Sequence, residues 1–305
     1  MSKSINIREV HRYGNIMGYP KLKEKLYNRL SKAGLDMSNM DIVITMGANQ
    51  AFTNIALTLC DNNDNAILIT PYYFSHKLSL QLAGVNVHLC PFDETTLYPN
   101  FDTLKDMFEL HKPKMIVLTT PCNPSGLVWS LEKLIELSKL CKQYDTWLVA
   151  DQTYYEFLYD GAIHHFPCKK RLNYNKIIHI FSMSKSFGMP GWRVGYIAYP
   201  TNNDIDKNDI NNNNNKDKEC NDLTLSLRKI QDTIPTHVTM LSQILSLHCL
   251  DIDDKCNEIN GKSWVCNTIS SINDVRNALW LILEELGTGI LILNIYMKFY
   301  YYIYS

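Results

Sequence analysis

Between residues 41 and 199, short apolar runs alternate with stretches in which apolar residues recur every third or fourth position. The runs fall at 42–46, 66–70, 86–90, 115–119, 147–150, 177–181 and 194–199. Runs of this length, apolar with little alternation, predict strands buried on both faces. Several intervals are long enough for a crossover helix, and 131–144 carries the helical spacing clearly. The pattern predicts an α/β fold: a doubly wound, mostly parallel sheet of seven strands covered on both sides. Residues 1–40 read as a helical segment ahead of it. Helical spacing returns at 223–232, at 239–250 and at about 274–286.

Two stretches break the rhythm. Residues 202–222 are rich in Asn, Asp and Lys and include five consecutive asparagines at 211–215. They predict an exposed, disordered insertion, for which a tolerated expansion of a surface loop is the simplest account. Residues 290–305 are apolar and aromatic but too short for a membrane span, with Asn294 and Lys298 inside. A buried strand is expected there, or sequence foreign to the fold. The chain then divides into 1–40, a large domain at 41–250, and an incomplete C-terminal segment at 251–305.

Composition narrows the picture. The chain has 305 residues, 46% of them hydrophobic, which suffices for a large core. A formal charge of −1 gives no electrostatic footprint for nucleic acid or for an acidic membrane surface. Nine cysteines without a C-x-x-C pair suggest neither a zinc site nor a disulfide framework, and reduced thiols fit a cytoplasmic setting. The N-terminus has no apolar core of a secretory signal.

Polar residues collect where the runs end, the edge at which open parallel sheets bind ligands. The run at 115–119 leads to Asn123 in a Pro/Gly turn. The run at 147–150 leads to Asp151, with Tyr154 three residues on. The run at 177–181 leads to Ser182 and then Lys185, followed by Arg193. Each alone has an ordinary explanation as a turn or capping residue, and Lys185 alone reads as part of a surface Ser/Lys loop. Together they match what pyridoxal 5′-phosphate requires: a Schiff-base lysine, Lys185, and a carboxylate, Asp151, to pair with the pyridinium nitrogen. Asn123 and Tyr154 can hydrogen-bond the ring's phenolic oxygen, and Ser182 and Arg193 the phosphate. At Gly47, Ala48 and Asn49 a strand ends and a helix opens, offering free N–H groups to an anion. Among Tyr72, Tyr73 and Phe74 one ring could stack on the cofactor, although an ordinary aromatic cluster is as good a reading for Tyr72 and Phe74.

With these residues in order, the chain resembles the fold-type I aminotransferases of class I/II, and is particularly similar to plant-type aromatic aminotransferases. The matching stretches are 47–52, 71–74, 96–99, 123–126, 155–161 and 182–199, continued by 229–235 and 242–243. The resemblance implies the large domain of that fold with a remnant of a small C-terminal domain. It implies transamination between an amino acid, aromatic donors favoured, and a 2-oxo acid. Lys185, Asp151 and Tyr154 would be catalytic; Tyr73 would stack on the ring, and Tyr13 would reach the phosphate of the neighbouring subunit in a homodimer. Members of that family extend further at both ends, so the resemblance also implies truncation. Their arginine for the substrate carboxylate would lie beyond Arg276, and no arginine follows Arg276. A fragment that binds cofactor without turnover, and a lyase or synthase on the same scaffold, are the alternatives.

Overall fold

A computed structural model describes residues 10–93, 95–201 and 215–285. The seven apolar runs form one seven-stranded sheet: β1 (Met40–Thr45), β2 (Asn65–Ile69), β3 (Asn86–Cys90), β4 (Met115–Thr119), β5 (Trp147–Asp151), β6 (Ile177–Ser182) and β7 (Gly195–Pro200). The strand order is β1-β7-β6-β5-β4-β2-β3. Only β7 runs against its neighbours, β1 and β6; the other pairs are parallel. The link from β6 to β7 holds one short helix and a 3₁₀ turn, too little chain to cross back for a parallel return.

Side chains alternate cleanly between the faces. Val43, Leu68, Val117, Val149, Ile180 and Ile197 join one core with α2 (Ala48–Leu59). On the opposite face, α4 (Phe101–His111) and α5 (Leu131–Gln143) cover Ile67, Ile116 and Leu148. Nearer β1, that face is covered by α1 (Pro20–Lys32), whose Leu22, Leu26 and Leu30 are fully buried at a four-residue spacing. The connection after β2 carries α3 (Phe74–Leu82), and α6 (Lys169–Leu172) precedes β6. Helix starts follow their local sequence: Asn100 accepts from the Thr103 amide and Ser130 from that of Lys133, satisfying amides that the first turn leaves open.

After the sheet come α8 (Asn215–Thr233), α9 (Met240–Asn260) and α10 (Trp264–Glu285). Helix α8 begins inside the stretch expected to be an insertion, so 215–222 is helical rather than irregular; 202–214 lies outside the described residues. The tail at 290–305 does as well. Helix α9 runs straight through the expected boundary at 250, because Asp251–Asn260, although highly charged, remains compatible with helix. None of the described helices is long and apolar enough to cross a membrane. The described cysteines are free thiols.

Candidate active site

At the carboxyl edge of the parallel strands lies a cleft with a cavity volume of about 330 Å³. It gathers Ala48, Asn49, Tyr73, Asn123, Asp151, Tyr154, Ser182, Lys185 and Arg193, all singled out from sequence. Tyr13 stands outside it, 86% exposed, its ring edge-on to His237 with centroids 5.7 Å apart.

One end is built for an anion. Thr45 ends β1, and Gly47 caps α2 at φ 85°, a conformation side chains resist. A Cβ at Gly47 would collide with the guanidinium of Arg193. Arg193 is itself at φ 55° and donates to the Pro190 carbonyl (2.8 Å) and the Met46 carbonyl (3.1 Å), which fixes the guanidinium beside the start of α2. Gly195, paired with Thr45, is bare for the same reason: a Cβ there would lie 2.6 Å from the Gly47 carbonyl carbon. Helix dipole, free amides and guanidinium converge on one spot.

The other end holds a buried carboxylate. Asp151, 5% exposed, ends β5. Its Oδ1 accepts from the Thr153 amide (3.0 Å) and hydroxyl (2.7 Å), and its Oδ2 lies 3.0 Å from His76 Nε2. Burial alone would raise its pKa, but the His76 contact and the two Thr153 hydrogen bonds outweigh it and hold Asp151 below the ordinary carboxylate range.

Lys185 lines the same cleft, on the single-turn α7 (Met183–Ser186), whose cap Ser182 accepts from the Ser184 amide at 3.1 Å. Burial, and then the charge of Arg193, lowers its pKa, raising the unprotonated fraction that a nucleophilic amine needs. Its Nζ is 6.0 Å from the centroid of the Tyr154 ring.

Sequence reasoning missed His76, Thr153, Thr119 and Ser184. His76 had a signal: it follows Tyr73 by three residues at the opening of α3, so the two share a helix face, and their rings meet edge-on at 5.5 Å. Thr153 had one in its place two residues beyond an aspartate, a common local hydrogen-bonding spacing. Behind the cleft a second polar chain is buried. His179 Nδ1 and Gln152 Oε1 are 2.8 Å apart, and Gln152 Nε2 and His164 Nε2 3.2 Å. Burial, then neighbouring positive charge, pushes His179 down to about 3 and His164 to about 4.

The family model for aminotransferase class I and II matches residues 3–300, and the chain belongs to this family. It is 33% identical to the aromatic aminotransferase ISS1 of Arabidopsis thaliana over 278 residues, covering 90% of this chain and 63% of that protein. It is 31% identical to human kynurenine–oxoglutarate transaminase 3, over 66% of this chain and 46% of that one. The chain thus spans less than two thirds of the curated relatives it matches. Among solved structures, the aspartate aminotransferase of Thermus thermophilus with maleate superposes with a TM-score of 0.76 at 23% identity, covering 92% of this chain and 66% of that one. The aromatic aminotransferase of Pyrococcus horikoshii gives 0.74 at 22%, covering 92% and 69%. These two likenesses establish the fold.

Class I and II aminotransferases depend on pyridoxal phosphate, and the cleft fits that group. Into one cleft it brings a cationic cradle that a Cβ would fill, a buried ionised carboxylate and an amine whose charge is disfavoured.

Proposed function

We propose that the protein is a pyridoxal-phosphate-dependent aminotransferase that moves an amino group between an amino acid, aromatic donors preferred, and a 2-oxo acid. We further propose that it works as a cytoplasmic homodimer in amino-acid metabolism, with residues 41–250 as the cofactor-binding domain. The observation that carries this reading is the convergence of Lys185, Asp151 and the Gly47–Arg193 cradle on one cleft.

In this reading Ala48, Asn49, Ser182 and Arg193 hold the phosphate, and Tyr73 packs on the ring. Asp151, kept ionised by Thr153 and His76, pairs with the ring nitrogen. Asn123 and Tyr154 donate to the ring's phenolic oxygen. When bound, the cofactor supplies an electron sink for the charge that develops as a proton leaves the substrate's α-carbon. Lys185 anchors the cofactor through Nζ and, once released by the incoming amine, moves the proton at the substrate α-carbon. Its lowered pKa serves both tasks. Tyr13, exposed at the surface, would serve a second copy of the chain.

Borohydride treatment of the cofactor-loaded chain should fix the cofactor on Lys185 and leave Lys185→Ala unlabelled. Incubation with phenylalanine or tryptophan and a 2-oxo acid should yield the exchanged pair. Release of ammonia would place the chain among the lyases, and a trapped cofactor with no turnover would mark it as a binding fragment.

A further inference from the structure

Two short segments carry Tyr154 and Lys185, and both rest on one arginine. Arg29, in the last turn of α1, pairs through Nη2 with Glu156 (2.5 Å) and through Nη1 with Asp253 of α9 (2.7 Å). Its Nε donates to the Tyr155 hydroxyl at 3.4 Å, and its guanidinium carbon lies 5.3 Å from the centroid of the Phe187 ring. Tyr155 and Glu156 directly follow Tyr154, in a turn closed by the Phe157 amide on the Tyr154 carbonyl (2.8 Å). Phe187 lies two residues beyond Lys185 and stacks on Trp264, the first residue of α10, at 6.3 Å. The free oxygen of Asp253 accepts from the Val265 amide at 2.9 Å, fixing the start of that helix.

The cluster is largely dry: the Arg29 side chain is 17% exposed and that of Asp253 2%. Water replaces a lost partner there only in part, and a guanidinium fork fixes direction as well as charge. We propose that Arg29 is a positioning residue that aligns Tyr154 with Lys185, so that their geometry depends on the docking of α1, α9 and α10. This rests on the function proposed above. A comparison is built into the same helix. Lys25 pairs with Asp251 (2.8 Å) and Asp254 (2.7 Å), also joining α1 to α9, but in contacts more open to solvent. Among the described residues it touches neither active-site segment through an ion pair.

The test uses the whole chain loaded with pyridoxal phosphate and no substrate, in wild type, Arg29→Met, Glu156→Gln and Lys25→Ala. Its readouts are the pH midpoint of the cofactor's visible band and hydrogen exchange in 153–158 and 183–189. A displaced Tyr154 phenol no longer favours the deprotonated cofactor. Arg29→Met and Glu156→Gln should therefore raise the midpoint by about half to one pH unit and speed exchange in both segments. Lys25→Ala should change neither. Helix packing alone would lower Tm in all three variants and leave the midpoint where it is. Should Arg29→Met fail to fold, Glu156→Gln, which keeps the side chain's size, decides. A wild-type band with unmoved midpoints in the folded variants overturns this inference alone. A wild-type chain that acquires no band overturns the proposed function and this inference with it.

Discussion

His76 Nε2 and Asp151 Oδ2 lie 3.0 Å apart, with side chains only 3% and 7% exposed. A buried carboxylate stays ionised only if its lost hydration is replaced, and here the replacement comes from a histidine and a threonine. His76 Nδ1 has no hydrogen-bond partner among the described residues, and the ring borders a cavity of about 20 Å³.

Replacing His76 with phenylalanine should therefore weaken cofactor binding while the chain still folds. Loss of a hydrogen bond to a charged group costs about 1.5–3 kcal/mol, or roughly 10- to 100-fold in affinity. Titration of the cofactor's absorbance measures it. Unaltered affinity would mean that Thr153 alone keeps Asp151 ionised.

Gly47→Ala should damage the cradle more than the fold. The alanine must adopt φ 85° and displace the Arg193 guanidinium. Backbone strain of about 1–3 kcal/mol is expected, with a larger loss in affinity for the phosphate-bearing cofactor than for pyridoxal. Equal losses for the two ligands would show that the guanidinium has not moved.

Acid should destabilise the chain through its buried imidazoles. His179 and His164 have folded pKa values depressed to about 3 and about 4, so the unfolded chain takes up protons first. Their contribution to stability is full above about pH 6.5 and is lost as pH falls toward those values. By pH 4 His179 alone accounts for roughly 3 kcal/mol. Urea denaturation between pH 7 and 4.5 should show a shallower pH slope in His179→Phe than in wild type. An unchanged slope would place the titration elsewhere.

Gln231→Leu should lower Tm by several degrees. Gln231 is fully buried; it accepts from Asn54 at 2.8 Å and donates to the Ile44 carbonyl at 3.1 Å, tying α8 to α2 and β1. Leucine keeps the volume but strands two buried polar groups, at about 1–3 kcal/mol each. Thermal unfolding followed by circular dichroism reads it.

Much of this was legible in sequence for a physical reason. A strand buried on both faces has to be apolar throughout, so the inner strands announced themselves, as 115–119 did without any displacement. The edge strand β3, with Asn86 and Leu89 exposed, is not buried on both faces as its run predicted. The residues at their carboxyl ends were legible because a polar group beside an apolar run needs a purpose. His76 was not, since its partner Asp151 lies 75 residues away and only the packing of α3 on the sheet joins them. The Arg29 cluster escaped similarly: its members come from α1, the turn after β5, the loop after α7, and α9. The antiparallel setting of β7 leaves little mark, because apolar composition does not encode direction.

The anion cradle is a seam between the sheet's earliest and latest strands. Thr45 and Gly195 are register partners about 150 residues apart in sequence, and Gly47 and Arg193 meet just beyond them. Local chain order cannot prepare such a place; it comes into being when the two strands farthest apart in sequence pair, the step with the greatest loop-closure cost. A ligand held there recognises completed topology, and its binding energy is lent to the whole fold. Phosphate bound there would thus stabilise only chains in which the first and last strands have paired.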